Sequence, residues 1–582
     1  MERFKSTALT AAIGTLPVLA LCLFTTLAVY AGNSSEFSAS FASILGVYFP
    51  FVVATIGILG LLSLFMTREG VRRYRALLAA IAILIWLQGN ILVWDYGVLD
   101  GREIDWLAGT WRGVLDAAIW VVVLMAAISG FRRFGRPLMT VALVVLGIQS
   151  VGAAVTVAGS YSDLIDQPDP QAEAVAADAI YRFSSDRNVV HIVMDGFQTD
   201  IFAAIVASEE ADGMREGLRG FTLFADNVGA YPYTQLTVPA MLSGRLYRNE
   251  LPVEEFIDST LAGHTILQAA TTAGYEVDIA APVALKNKYS KAPHAFAYGI
   301  GRSGHASPED YVLLDAAKLI DLGLFRAVPH FAKALVYRDE LWIFQAKVLP
   351  DSYLQMQYFS DLAFLRRLGE RMTVGRNAPV YKMMHLMLSH RPTVGNERCE
   401  FDGKRPTNRE TVTHQARCGL QGVLAVLRRM RQLGIYDNSL IVLMADHGAW
   451  VPVQTAAQAS NGADAVSATT IAMAIPLLAV KPPAASAEFQ VSDAPTSIID
   501  VPATIAGILD IGADFPGIPA FSNDDNPTRK RRHLTYAYGI NPAAEGFLFP
   551  MQEYEISGSP LDPAAWRQVA VYPPGTAREH RD

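Results

Sequence analysis

Two segments, Val189–Asp195 (VVHIVMD) and Leu440–Gly448 (LIVLMADHG), each contain an apolar run that leads into an aspartate. Runs this short and this rich in β-branched residues are typical of buried parallel strands. In an open α/β sheet, ligand sites form beyond the carboxyl ends of such strands. Asp195, Asp446 and the adjacent His447 are therefore candidate metal ligands at one edge of a sheet.

A third segment between these strands, Tyr233–Gly244 (YTQLTVPAMLSG), supplies a hydroxyl group at Thr234. A threonine hydroxyl is a poor nucleophile at neutral pH. A bound divalent cation lowers its pKa and neutralises charge on an attacked phosphoryl or sulfuryl group. The oxygen and nitrogen atoms of Asp195, Asp446 and His447 suit zinc, with Thr234 Oγ1 in the remaining position. We expect one zinc site of this composition.

The amino-terminal part of the chain predicts a membrane domain. The chain has 582 residues, which is too long for one compact domain. Its first 160 residues contain five apolar runs, and most of them reach the roughly 20 residues that a bilayer requires. The runs are Ala8–Ala31, Ala42–Met66, Ala76–Trp94, Val114–Gly130 and Pro137–Ser160. Residues 1–160 are therefore predicted to form five transmembrane helices.

Basic residues decide the expected orientation. They are concentrated after the second run (Arg68, Arg72, Arg73, Arg75) and after the fourth (Arg132, Arg133, Arg136). Such loops face the cytoplasm. Five crossings then place everything after Ser160 outside the cytoplasm. Alternatively, the first run is a signal peptide cleaved after Ala31, which leaves the remaining topology unchanged.

The exported part reads as a linker over residues 161–186 and a catalytic domain over 187–582. Strands alternate with helices from about Arg187, which predicts a largely parallel sheet covered on both faces. Further strands are predicted at Gly220–Asn227, Glu276–Ala281, Val380–Leu388 and Ile475–Val480, and helices at Thr265–Ala273, Gly419–Leu433 and Thr496–Leu509.

Residues 310–368 differ from the rest of this domain. They read as a long, mostly helical insertion with apolar and basic residues interspersed. The insertion either lies on the membrane surface or packs on the domain core.

Three further features concern the membrane. The basic run Arg529–Arg532 contacts anionic head groups or forms a solvated turn. Within the membrane runs, Asp116 is expected at the interface. The amides of Gln88, Asn90 and Gln149 form hydrogen bonds between helices or a lipid-donor site.

The chain contains three cysteines, and two of them, Cys399 and Cys418, fall in the exported part. An oxidising compartment favours a disulfide between them, and two free thiols are the alternative. The net charge of −8 argues against a nucleic-acid partner.

The exported domain resembles the alkaline phosphatase superfamily, which includes sulfatases, phosphodiesterases and membrane-anchored phosphotransferases. The strand that ends in Met194-Asp195-Gly196 resembles the first metal-binding strand of this superfamily. Tyr233–Gly244 closely resembles the nucleophile segment of bacterial phosphoethanolamine transferases that act on lipid A. The segment His385–Pro392 (HLMLSHRP) resembles their His-x-x-x-Ser-His-x-Pro element, and Ala445–Gly448 (ADHG) their Ser-Asp-His-Gly. With five membrane helices and a cysteine pair, the similarity covers most of the chain.

This resemblance implies roles for individual residues. Thr234 would be the nucleophile and a zinc ligand, with Thr237 as the alternative, although the spacing to Pro239 favours Thr234. His390 would contact the transferred phosphoryl group or the leaving oxygen, or help to bind a second metal. His385 lies five residues earlier, which puts it on the opposite face of a strand, so we expect it to be structural.

Two departures from the family pattern leave the donor and the metal count open. The lipid A enzymes have Gly-Glu where this chain has Asp195-Gly196, and a glutamate and a further histidine follow their Asp-His-Gly. Here Ala449 and Trp450 follow instead. The Cys-x-Pro-x-Arg or Ser-x-Pro-x-Arg motif, which sulfatases convert to formylglycine, does not occur in the sequence. Ordinary sulfate-ester hydrolysis is therefore not expected.

These observations favour a metal-dependent transferase. It would move a phospho-alcohol, phosphoethanolamine or phosphoglycerol, from a membrane phospholipid through Thr234 to an envelope glycan or lipopolysaccharide. A membrane-tethered phosphodiesterase or phosphatase that uses water as the acceptor is the second hypothesis. A non-catalytic envelope scaffold with a degenerate site is the third.

Overall fold

The computed structural model describes residues 2–34, 37, 39–94, 96, 104, 106, 110–160, 164, 179–208, 212–282, 296–300, 308–338, 342–348, 357–453, 466–522, 526, 528–538, 544 and 546–575. The chain divides into two compact units. The helical unit comprises residues 1–169 and 306–355, and the α/β unit comprises residues 170–305 and 356–582.

The helical unit contains long helices at the predicted positions. They are Glu2–Leu19, continued by a π-helical segment Ala20–Thr25 and by Thr26–Ala31, then Phe41–Leu62, Arg68–Asn90, Thr110–Ile128 and Phe131–Gly159. Four of them are long and apolar enough to cross a membrane, by length and composition, within the described part of the chain. The helix Arg68–Asn90 is not among the four, because its first two turns carry the charges of the basic loop and shorten its apolar part.

The insertion packs on the helical unit. Its helices Pro308–Ala327, His330–Tyr337 and Gln345–Val348 belong to that unit. The last helix within the predicted insertion, Gln357–Arg371, belongs to the α/β unit instead. For the first three helices, the expected alternative of packing on the exported domain core is therefore wrong.

The described residues of the α/β unit form a central sheet of eight strands. The strands of the chain are β1 Arg182–Ser184, β2 Asn188–Met194, β3 Thr222–Phe224, β4 Glu276–Pro282, β5 Phe296–Ile300, β6 Thr373–Arg376, β7 Val380–Leu386, β8 Thr393–Gly395, β9 Phe401–Arg405, β10 Ser439–Met444, β11 Leu478–Lys481, β12 Gln490–Ser492, β13 Lys530–Thr535, β14 Met551–Ser557 and β15 Trp566–Tyr572. The large sheet has the order β12-β3-β11-β10-β2-β7-β4-β5. Only β11 runs antiparallel to its neighbours, so the predicted, largely parallel sheet is confirmed.

Smaller sheets and the helices complete this unit. The pairs β1-β6 and β8-β9 form two-stranded sheets, and β13-β14-β15 form a third. The α-helices are Thr199–Ala207, Asp212–Gly217, Thr234–Ser243, Val253–Leu261, Ile266–Thr272, Gln357–Arg371, Arg409–Gln432, Ala468–Met473 and Val501–Leu509. The predicted helices are therefore present with shifted ends. The predicted disulfide between Cys399 and Cys418 is also present, with their Cα atoms 5.6 Å apart.

Two sequence predictions need correction. The linker ends earlier than predicted, because Arg182–Ser184 already forms β1; most of the predicted linker lies outside the described residues. Arg529–Arg532 is not a solvated turn, because Lys530–Thr535 forms β13, while its contact with head groups stays a prediction. Arg529 forms a bidentate ion pair with the buried Asp500, at 2.6 and 2.7 Å, and Arg531 is buried. Asp116 is fully buried within the protein, and its position at the membrane interface stays a prediction.

A buried ion pair ties β4 to β7. Asp278 and Lys382 face each other across the parallel register of these strands. Lys382 Nζ donates to Asp278 Oδ2 at 2.7 Å, and Arg376 approaches the same carboxylate at 3.0 Å. Burial lowers the pKa of Lys382 to about 8, although the Asp278 charge acts in the opposite direction. The carboxylate therefore compensates two buried cations.

We predict that Asp278→Ala lowers the free energy of unfolding of the α/β unit by about 3–5 kcal/mol, because it leaves buried charge without a partner. Glu276→Ala is the matched control. Glu276 lies on the same strand and pairs with Arg376 at 2.9 Å, but its side chain is 56% exposed. Its loss should cost less than about 1 kcal/mol. Urea denaturation of the purified protein measures both, and equal effects would contradict this assignment.

Candidate functional site

The register of β2 and β10 brings the two aspartates together. These strands pair in parallel, and Val193 lies opposite Met444 at the end of the ladder. Asp195 and Asp446 each lie two residues beyond that pair, and both are buried. Gly196 has a φ of +72°, which lets its N–H turn back and donate to Asp446 Oδ1 at 3.3 Å. The strand ends therefore form one acidic edge.

The third element is the helix Thr234–Ser243, whose first residue is the predicted nucleophile. The hydroxyl of Thr234 donates to Asp446 Oδ2 at 2.7 Å and lies 3.2 Å from Asp195 Oδ2. It is 3.4 Å from His447 Nε2. The side chain of Thr234 is only partly buried, whereas the other three are almost fully buried. The structure thus brings all four predicted residues together and leaves the hydroxyl accessible.

His447 is held in one tautomer. Its Nδ1 lies 2.8 Å from the carbonyl oxygen of Gly448. Because a carbonyl can only accept, Nδ1 carries a proton, and Nε2 is the ring nitrogen that faces the two aspartates. A ligating histidine usually has such an outer hydrogen bond, which fixes its orientation. Nε2 lies 3.5 Å from Asp195 Oδ1 and 3.5 Å from Asp446 Oδ2.

The donor set fits a tetrahedral cation. Asp195, Asp446 and His447 offer ligand atoms that all lie within 4.8 Å of one another. Bonds of about 2.0–2.1 Å to a tetrahedral zinc place ligand atoms about 3.3 Å apart. The distances among Asp195, Asp446, His447 and the Thr234 hydroxyl run from 2.7 to 3.5 Å and so are of this size. Asp195 Oδ1 is buried and accepts no hydrogen bond from the described residues. A cation between these lone pairs would satisfy it.

The alternative nucleophile does not reach this cluster. The hydroxyl of Thr237 is fully buried and donates to the carbonyl oxygen of Tyr233 at 3.0 Å, within its own helix. Its neighbours are therefore backbone groups rather than the carboxylates. The geometry favours Thr234 as the reactive hydroxyl.

His390 lies beside the cluster. Its ring centroid is 6.4 Å from that of His447 and 5.3 Å from that of Trp450, which also contacts His447 at 5.3 Å. Burial raises the pKa of Asp195, but the positive charge of His390 and the hydrogen bond from His385 outweigh this and hold the pKa below its ordinary value. Gln415 accepts from Val394 N–H and donates to the His390 carbonyl, each at 2.9 Å. These two hydrogen bonds stabilise the segment between β7 and β8, which contains His390.

His385 lies at the site, so its predicted position on the far face of the strand is wrong. It is fully buried, and its Nε2 lies 3.2 Å from Asp195 Oδ2. The predicted position requires one strand from His385 to His390, but β7 ends at Leu386. Beyond that end the alternation of faces no longer applies. Burial lowers the pKa of His385, but the hydrogen bond to Asp195 and the nearby carboxylates outweigh it and raise the pKa overall.

Comparison with protein families gives one match. The family model described as Sulfatase matches residues 187–511, a stretch that contains every residue of this cluster. No curated protein matches the chain significantly.

Solved structures with low similarity include several enzymes. Phosphonate monoester hydrolase SpPMH from Silicibacter pomeroyi is 15% identical with a TM-score of 0.40, covering 63% of this chain and 85% of its own. Lipoteichoic acid synthase LtaP from Listeria monocytogenes is 10% identical with a TM-score of 0.36, covering 64% and 87%. A protein of the alkaline phosphatase superfamily from Vibrio parahaemolyticus is 12% identical with a TM-score of 0.36, covering 69% and 91%.

We predict that His385→Ala weakens zinc binding by about 10- to 100-fold, because Asp195 loses the hydrogen bond that orients it. Thr237→Ser is the control, since it keeps a hydroxyl on the same helix outside the cluster. Isothermal titration of zinc into chelator-treated protein measures both. If His385→Ala and Thr237→Ser bind zinc as tightly as the unaltered protein, His385 has no such role.

Proposed function

The chain belongs to the sulfatase family, and we propose that it is a membrane-anchored, zinc-dependent phosphotransferase with Thr234 as its nucleophile. The donor would be a membrane phospholipid, and the group transferred would be phosphoethanolamine or phosphoglycerol. The acceptor would be a hydroxyl of an envelope glycan or lipopolysaccharide. The observation that carries the proposal is the convergence of the accessible Thr234 hydroxyl on Asp195, Asp446 and His447.

Thr234 is placed to attack a phosphoryl group. It begins a ten-residue helix, whose first N–H groups and dipole favour negative charge at that end. Its proton points at Asp446 Oδ2, 2.7 Å away, so the carboxylate is positioned to stabilise loss of that proton. A divalent cation bound by this donor set would supply Lewis-acid charge, which lowers the hydroxyl pKa and offsets charge on the phosphoryl oxygens.

The proposed reaction has two displacements. In the first, Thr234 Oγ1 forms a bond to phosphorus, and the bond between phosphorus and the glyceride oxygen breaks. Diacylglycerol leaves and takes up a proton. In the second, the acceptor oxygen forms a bond to phosphorus, and the bond between phosphorus and Thr234 Oγ1 breaks. The acceptor hydroxyl gives up its proton, and Thr234 Oγ1 takes up a proton to become a hydroxyl again. His390, at the edge of the cluster, is proposed to contact the transferred group or the leaving oxygen in these steps, or to help bind a second metal.

Two further features support a transferase in the periplasm. Four helices are long and apolar enough to cross a membrane. They support a lipid as the donor, since a hydrolase of soluble substrates does not require such helices. The disulfide between Cys399 and Cys418 suits an oxidising compartment, which supports an α/β unit outside the cytoplasm of a bacterial inner-membrane protein. A threonine as the nucleophile also argues for phosphoryl rather than formylglycine-dependent sulfuryl chemistry.

We predict that Thr234→Ala lowers transfer by at least about 10³-fold, because the nucleophile is lost. Thr237→Ser, which keeps the fold and leaves Thr234 in place, should retain activity. The readout is the phospho-alcohol content of envelope glycans in cells that express each variant. Unchanged content with Thr234→Ala would contradict the proposal.

Mass spectrometry of the purified protein after incubation with membranes separates the competing activities. A phospho-alcohol adduct on Thr234 that disappears only when a sugar acceptor is added supports the transferase, and its mass identifies the donated group. An adduct that water removes quickly without any acceptor identifies a phosphodiesterase. Absence of an adduct together with absence of bound zinc identifies a non-catalytic scaffold.

A further inference from the structure

The surface of the insertion differs from that of a soluble helical segment. Among its described side chains between residues 312 and 348, six are exposed. Four of these are large and apolar: Leu313 at 42%, Phe331 at 62%, Leu335 at 71% and Phe344 at 41%. The other two are Arg338 and Lys347. The exposed surface described here is therefore apolar and basic, without an acidic residue.

The α/β unit provides a comparison. Over its much longer described sequence, the exposed large hydrophobic residues are Val374, Val491, Ile518, Phe521 and Val571. Single exposed apolar residues of this kind are normal on soluble proteins. In the insertion, Phe331 and Leu335 lie one helical turn apart on the helix His330–Tyr337 and so share one face. The insertion therefore exposes large apolar side chains at a higher density than the α/β unit does.

The insertion is anchored to one end of the helix bundle. Asp315 Oδ2 accepts from Ala39 N–H at 2.8 Å, just before the helix Phe41–Leu62. Arg326 Nε donates to the Gly89 carbonyl at 2.7 Å, near the last residue of the helix Arg68–Asn90. Consecutive membrane helices alternate in direction, so both contacts lie at the same end of the bundle. The basic loops are at the opposite end.

Asp116 anchors the insertion at that same end. This fully buried carboxylate lies in the second turn of the helix Thr110–Ile128 and accepts from the backbone N–H of His330 at 3.0 Å. It also accepts from Gln88 Nε2 at 2.9 Å and Trp94 Nε1 at 3.0 Å. The His330 ring contacts the Tyr96 hydroxyl at 2.7 Å through Nδ1. A satisfied polar network of this kind holds the insertion in one position.

We propose that residues 308–348 are an interfacial element, which inserts Phe331, Leu335, Leu313 and Phe344 among the lipids of the leaflet at the end of the helix bundle opposite the basic loops. The occupant of this surface is phospholipid, because the insertion packs on the helices Phe41–Leu62 and Thr110–Ile128, which are long and apolar enough to cross a membrane. The exposed Arg338 and Lys347 suit anionic head groups. The inference is independent of the reaction at Thr234.

The proposal is tested with a single fluorescent label. In full-length protein with Cys22→Ala, Leu335→Cys and separately Phe331→Cys are labelled with a polarity-sensitive maleimide and reconstituted into phosphatidylglycerol-containing nanodiscs. Val491→Cys is the matched control, since Val491 is equally apolar and 60% exposed but lies in the α/β unit. The bonded cysteines Cys399 and Cys418 do not react. A doxyl-labelled lipid serves as the quencher.

Labels at positions 331 and 335 should emit at shorter wavelength than the label at 491 and should lose roughly half of their emission to the lipid quencher, as side chains buried about 5–10 Å into the interface would. The label at 491 should keep its emission. Equal, weak quenching at all three positions overturns the proposal. Blue-shifted emission at 331 and 335 without quenching by lipid also overturns it, because a protein partner then covers the surface.

Discussion

The parallel pairing of β2 with β10 is the constraint on which the site depends. Val193 and Met444 are partners in that ladder, so Asp195 and Asp446 leave the sheet at the same level. A shift of one residue would turn every side chain of one strand to the other face and separate the carboxylates. The apolar, fully buried sequences of both strands fix this register. The register that packs the core therefore also sets the distance between the two carboxylates.

The ligand set also depends on elements that hold each carboxylate in place. His385 from β7 contacts Asp195, and Gly196 contacts Asp446 through its backbone. The outer hydrogen bond of His447 goes to the adjacent backbone carbonyl. Asp195, Asp446 and His447 thus each have a hydrogen-bond partner that orients the side chain, as a preorganised site requires. Only Thr234 is left accessible, which separates the group that would react from the groups that hold the charge.

The sequence was sufficient for the parts that depend on local pattern. The apolar runs predicted the strands before Asp195 and Asp446 and the long helices of the first unit, and the motif spacing pointed to Thr234 rather than Thr237. It failed where contacts are nonlocal. His385 was misplaced because strand alternation was carried past Leu386, where β7 ends. The contact of the buried Asp116 with His330 was not predicted, since the two residues are more than two hundred positions apart. A pairing of that range leaves no periodic signal.

We propose that one cation is bound by two strand ends and a helix-borne hydroxyl. Anomalous diffraction at the zinc edge, on crystals of the zinc-loaded protein, locates such a cation. We predict a peak within bonding distance of Asp195, Asp446, His447 and Thr234 Oγ1. A peak that lies away from Thr234, or zinc-loaded crystals with no peak between the two aspartates, would contradict it.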